Sequence, residues 1–288
     1  MNYNITCLMT IWDEQNMIGL ALGSSKTFVD KYLILIQNCT DDTLQVINYC
    51  KELWNLNIEI INSDLKIRKR KELGIQISKE YTNYYILQDG DEVFHEDSKN
   101  IIQDLIEKKF TFCTTPIILL ENDLIHTTDN DNNVIMPNHP FLFENLDDIY
   151  FPEIGDMPWY NPHKNNHNIL NLDFPLKFDC KIKNYRRSFL REVFTPWHDS
   201  DSDLSIEKYA DEHHYHVKWY RKNIDENLIL EKIIEMCYNN NKDNEFKWNQ
   251  KYDEKKYYNY FKIIKIFIDN NKLKGIENME DLKYLKYI

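Results

Sequence analysis

The chain has 288 residues, 42% of them hydrophobic and 14% aromatic, which is enough to bury a core in one large α/β domain or two small ones. Its 47 acidic residues against 35 basic ones give a formal net charge of -12. That balance argues against a nucleic-acid binder, because phosphate backbones are gripped by clustered Lys and Arg.

The longest apolar stretches, such as "PIILL", fall far short of the roughly 20 residues a membrane helix needs. No basic segment precedes the first hydrophobic one, so a soluble, cytoplasmic protein without signal peptide or transmembrane helix is expected. Cys7, Cys39, Cys50, Cys113, Cys180 and Cys237 form no C-x-x-C pair, which fits reduced thiols better than disulfides or a zinc knuckle. The sequons at Asn4 and Asn38 would then go unglycosylated. The abundance of Asn, Ile, Lys and Tyr points to an A+T-rich source genome.

In chain order, "NITCLMTIW" reads as a strand that ends at Asp13-Glu14-Gln15-Asn16, with a helix following through about Phe28. "KYLILIQN" is a continuously apolar strand of the kind buried on both faces in a parallel sheet. Thr40 or Asp41 can cap the helix "LQVINYCKELW", in which Val46, Cys50 and Leu53 recur at helical spacing. "NIEIINS" is a third strand. "RKRKELGIQISKEY" reads as a helix with Leu73, Ile77 and Tyr81 on one stripe, and "YYIL" as the fourth strand. Strands alternating with helices of this length indicate a doubly wound, mostly parallel α/β sheet.

Two charged segments stand out. "KIRKRK", with Arg68 and Arg70, can hold a small anionic ligand or form the solvated first turns of a helix. "ILQDGDE" places Asp89, Asp91 and Glu92 directly behind the fourth strand. Ligands of open α/β sheets sit beyond the carboxyl ends of the strands. Carboxylates there suit a hard divalent cation, Mn²⁺ or Mg²⁺, shared with a substrate diphosphate that the acids alone would repel.

"LMTIWDEQNMI", "LILIQNCTDDTLQVI" and "RKRKELGIQISKEYTNYYILQDGDE" together resemble the nucleotide-sugar-binding half of glycosyltransferases with the GT-A fold, the family 2-like group in particular. The resemblance covers about residues 4–97. It implies a GT-A mixed sheet flanked by helices, a nucleotide-sugar donor with UDP-sugar foremost, a divalent metal, and transfer of a hexose to a hydroxyl of a glycan, protein or lipid. It places Asp89 and Asp91 on the Asp-x-Asp motif, with Asp91 meeting the metal and Asp89 and Gly90 nearer the nucleotide. It also places Thr10, Trp12, Glu14, Asn38, Asp41, Arg68 and Arg70 around the donor. Cys39 stands where the group usually has Ser, and Asp13 where it has Asn. The acid common at the end of the second strand is missing, so the base contacts are not specified.

Downstream, "FTFCTTPIILLE" and "PFLFENLDDIYF" read as strands of the acceptor-side half. "DNDNN" at 129–133 fails as a calcium loop, because Val134 stands where Gly is required. Glu153 and Asp156 beside Trp159 are candidate bases for the acceptor hydroxyl, and ordinary loop acids are the plainer reading. His213, His214 and His216 lie in "DEHHYHVKWYRKN". The resemblance implies that a late histidine, His214 or His216, returns over the donor diphosphate, with His216 also a metal candidate.

The expected organisation is a GT-A domain over 1–222, split at residue 97, and a helical extension over 223–288. In that extension Leu230, Ile233, Ile234 and Cys237, then Tyr257, Phe261, Ile264 and Ile268, form stripes suited to intradomain packing or to a homo-oligomer interface. Two other classes of function stay open: a transferase-like binding protein without turnover, and a nucleotidyltransferase, although "IWDEQN" lacks the Gly-rich phosphate loop of the latter.

Overall fold

The computed structural model describes residues 3–37, 39–65, 67–121, 124, 135–147, 149–150, 159–160, 167–173, 175–181 and 262–288. Residues 1–182 with 249–288 form one compact unit and 183–248 a second, and the whole of the second lies outside the described residues.

The first half alternates β1 (Ile5–Ile11), α1 (Ile18–Ser25), β2 (Lys31–Ile36), α2 (Thr43–Trp54), β3 (Ile58–Asn62), α3 (Ile67–Ser78) and β4 (Tyr84–Leu87). There follow β5 (Glu92–Phe94), α4 (Ser98–Glu107), β6 (Phe112–Glu121), β7 (Ile135–Glu144), β8 (Ile149–Tyr150), β9 (Trp159–Tyr160), β10 (Ile169–Asn171) and β11 (Lys177–Lys181). Helix α5 (Lys262–Asp269) and a 3-10 helix (Met279–Tyr287) complete the described chain.

The main sheet runs β3-β2-β1-β4-β7-β6-β11-β5, with β10 beside β6. Strands β3, β2, β1 and β4 are parallel. Strand β7 is antiparallel to both β4 and β6, β11 is parallel to β6, and β5 is antiparallel to β11. This is the α/β architecture expected, a mixed sheet flanked by helices.

Side-chain alternation along the strands builds two core layers. Cys7, Met9, Ile11, Ile34 and Ile36 pack on one face with α1, α2 and the C-terminal segment. Leu8, Leu33, Leu35, Tyr85, Leu87 and Phe143 pack on the other, with Leu73 and Ile75 of α3. Both faces of β1 are therefore covered, and all seven of its residues are buried. Helix α1 is buried along its whole length, including Leu20, Ala21 and Leu22, because it is sandwiched between the sheet and the C-terminal segment.

Three local expectations are corrected. Helix α1 ends at Ser25, not near Phe28. The first residue of α2 is preceded by Asp42, and the Asp41 carboxylate takes the Thr43 N–H from one position further back. On α3 the buried positions are Arg70, Lys71, Gly74 and Ser78, while Ile77 of the expected stripe is exposed. The first turns of α3 reach over the carboxyl edge of the sheet, where strand carbonyls and an acidic turn give basic side chains better partners than an apolar layer would.

The "DNDNN" stretch and the stripe from Leu230 to Cys237 lie outside the described residues, as do Tyr257 and Phe261. In α5, Ile264 and Phe267 are buried and Ile268 is half-buried. Cys7, Cys39, Cys50, Cys113 and Cys180 are free thiols. Among the described residues no helix is long and apolar enough to cross a membrane.

Candidate active site at the carboxyl edge of the sheet

Three connections converge at the carboxyl ends of β1, β2 and β4: the β1–α1 loop, the β2–α2 turn and the β4–β5 turn. The first two are joined by side chains. Asp13, at φ 50°, accepts hydrogen bonds from the Thr40 N–H at 2.6 Å, the Thr40 hydroxyl at 3.0 Å and the Asp41 N–H at 3.3 Å. Asp41 in turn accepts from the N–H groups of Thr43 and Gln15 and from the Thr43 hydroxyl. The Thr43 hydroxyl accepts from the Glu14 N–H at 2.7 Å.

Cys39 completes this arrangement by accepting the Asp13 N–H. Ligand atoms of Asp13, Cys39 and Asp41 lie within 4.8 Å of one another, close enough to share an ion. Their chemistry favours a clasp. Burial pushes the Cys39 thiol up to about 12, which keeps it protonated at neutral pH, and both carboxylates already accept backbone N–H groups.

The β4–β5 turn is held differently. Gln88 is buried, and its amide donates to the carbonyls of Ala21 and Glu92, both at 2.9 Å, while its oxygen accepts from Ser25 at 2.9 Å. Glu92 accepts from the Asp89 N–H at 2.9 Å and from Lys177 Nζ at 2.7 Å. Lys177, fully buried, also reaches the Leu87 carbonyl at 3.4 Å, and His139 Nε2 stands 3.7 Å from the other Glu92 oxygen. Burial pushes the Glu92 carboxyl up from its ordinary range and the Lys177 ammonium pulls it back.

Glu92 is thus committed inside the protein, and Asp89 and Asp91 are the other two acids of the motif. Asp89 is partly exposed and pairs with the buried Lys71 at 3.7 Å. Asp91 is buried, and its carbonyl accepts the Cys180 N–H. Gly90 lets the turn close on β1, since a Cβ there would stand 2.8 Å from both Glu14 Cγ and Ile11 Cδ1. Carboxylate oxygens are the donor type that a hard divalent cation takes; among the described residues, the ligand atoms that lie close enough to share one are those of Asp13, Cys39 and Asp41.

Around this edge Arg70, 2% exposed, donates Nη1 to the carbonyls of Ile11 and Leu35, each at 3.4 Å. It closes the carboxyl ends of β1 and β2. The Thr10 hydroxyl is buried with no hydrogen-bond partner, and Trp12 and Glu14 are half-buried. The structure therefore brings Thr10, Trp12, Glu14, Asp41, Arg70, Asp89, Gly90 and Asp91 to one edge. Arg68 lies in α3 without a described side chain, and Asn38, Glu153, Asp156, His214 and His216 lie outside the described residues.

Sequence reasoning missed Lys71, Gln88 and Lys177 as parts of the site. Lys71 belongs to the basic run already noted, and its spacing of three before Gly74 was the available signal. Lys177 is a lone lysine in an apolar strand and carries none by itself.

No protein-family model matches the chain, and no curated protein matches it in sequence. Among solved structures it is similar to S. aureus TarS 1–349, at 12% identity and a TM-score of 0.45, over 88% of this chain and 77% of that one. Against a longer TarS structure the match covers 44% of that protein. It is also similar to the 4-diphosphocytidyl-2C-methyl-D-erythritol synthase of Anaerococcus prevotii, at 13% identity and a TM-score of 0.37, over 50% of this chain and 70% of that one.

Proposed function

We propose that the chain is a metal-dependent glycosyltransferase that moves a sugar from a nucleoside-diphosphate donor, a UDP-sugar foremost, to a hydroxyl of a glycan, protein or lipid. The observation that carries this reading is the braced acidic turn: Asp89 and Asp91 follow β4 with Lys71 beside Asp89, and Glu92 is neutralised from within.

Asp91 and Asp89 would hold Mn²⁺ or Mg²⁺. When bound, such an ion screens the donor diphosphate from these acids and stabilises the charge that develops on the departing nucleoside diphosphate. Lys71 adds positive charge at the same edge, and Arg70 fixes the strand ends against which the nucleotide lies. The Thr10 hydroxyl supplies a hydrogen bond that the protein itself leaves unmet. In this reading Glu153 or Asp156 takes the proton of the acceptor hydroxyl.

The test is turnover. The full chain is incubated with UDP-, GDP- and CMP-sugars, with Mn²⁺ or with EDTA, and release of free nucleotide is followed. Release that needs the metal and disappears in Asp91→Ala is the expected result, while metal-independent release that survives this substitution contradicts it. Thermal stabilisation by a donor without any release would favour a binding protein.

A further inference from the structure

We infer that Gln15 is a positioning residue for donor binding, and that residues 270–281 form a strap holding it in place; this inference rests on the donor site proposed above. The β1–α1 loop carries Glu14 to the acidic turn and Asp13 to the β2–α2 turn. It has no regular secondary structure to fix it.

Besides its bonds to the β2–α2 turn, the loop is held by the far end of the chain. Gln15 Nε2 donates to the carbonyls of Glu277 at 3.0 Å and Ile276 at 3.4 Å, across 262 and 261 positions of sequence. Asn16 Nδ2 donates to the Lys274 carbonyl at 2.8 Å, and the Asn16 carbonyl accepts the Ile276 N–H at 3.0 Å. The other groups of Gln15 face the donor side: its N–H donates to Asp41 Oδ2 at 3.1 Å and its Oε1 accepts the Asp42 N–H at 3.2 Å. One buried side chain, 5% exposed, thereby joins the strap to the β2–α2 turn.

The strap is itself rigidly set. Gly275 adopts φ +69°, and a Cβ at this position would stand 2.3 Å from the Asn16 carbonyl oxygen, so only glycine permits the contact. The buried Asp281 carboxylate accepts the N–H groups of Glu277 and Asn278 and pairs with Lys272 at 2.7 Å. Ile276 and Leu285, both fully buried, anchor the segment to the core that includes α1. A buried amide whose two ends are satisfied by two different segments transmits the position of one to the other. Loss of either set of bonds leaves the β1–α1 and β2–α2 turns held by their direct contacts alone, among them those through Asp13, Cys39 and Thr43.

The test uses full-length Gln15→Met, which keeps the volume and removes the side-chain bonds to Ile276, Glu277 and Asp42, and Gly275→Ala, which displaces the strap. Ile102→Ala, on the buried face of α4, is the control for general destabilisation. Amide hydrogen exchange without any ligand is expected to accelerate about tenfold or more at residues 13–17 and 40–43 in the first two variants and not in the control. Donor KM is expected to rise about tenfold in those two, with a much smaller change in kcat. Unchanged exchange at residues 40–43, or an unchanged donor KM, would overturn the inference. Faster exchange in both turns, in a protein whose wild type turns over no sugar nucleotide, would uphold the strap and reject the transferase reading.

Discussion

The β2–α2 turn and the β4–β5 turn flank the same edge and are rich in the same residue, yet they are stabilised by different physics. Around the first, Asp13 and Asp41 spend their charge on backbone N–H groups and hydroxyls, in a half-exposed loop. In the second, Glu92 is buried against a lysine, and Asp89 stands beside another. Aspartates that accept main-chain hydrogen bonds build a loop. An aspartate and a glutamate beside buried lysines make a charged turn whose balance a ligand can shift. The two clusters cannot be told apart by composition, and they make opposite predictions on substitution.

The largest expected effect is in the charged turn. Lys177→Met alone strands the Glu92 carboxylate in the core and should cost about 3–5 kcal/mol of stability, whereas adding Glu92→Gln should recover most of it. Urea denaturation of the single and double variants checks both values, and a mild single-variant effect would mean that the two turns are not built differently.

The clasp makes a claim about pH. With its thiol pushed up to about 12 from the ordinary value of 9.0, folded Cys39 should alkylate about a thousandfold more slowly at pH 8 than an unperturbed thiol. Because the folded value lies above the unfolded one, Cys39 favours the native state less as pH rises beyond the ordinary thiol range. Peptide mapping after iodoacetamide labelling in buffer and in urea measures the ratio, and equal rates would show that the clasp is open.

The contact between the regions is finer. Gly90→Ala puts a methyl group against Glu14 and Ile11, and Glu14 can swing aside, so a loss of about 1–2 kcal/mol is expected in thermal unfolding. No loss at all would mean that the turn does not press on β1.

The parallel half of the sheet was legible because β1, β2 and β4 are covered on both faces and therefore read as unbroken apolar runs. The acidic turn was legible because its charges follow such a run. The face of α3 was not, since the stripe rule assumes that a buried face is apolar, and here it is Arg70, Lys71, Gly74 and Ser78. Nor could spacing show which acid of the motif is spent internally: the partner of Glu92 lies 85 positions away. The support of Gln15 lies further still, at 261 and 262 positions. Pairings of that range are fixed by the topology of the folded chain, and no window of sequence contains both members.

The central claim is that Asp89 and Asp91 hold a divalent ion together with a nucleoside diphosphate. Electron paramagnetic resonance of Mn²⁺ titrated into the full chain with UDP, GDP or CDP tests it directly, on the wild type and on Asp91→Asn. The account predicts that the free Mn²⁺ signal is lost on binding to the wild type with at least one nucleotide and persists in the variant. Equal binding by both proteins would contradict it.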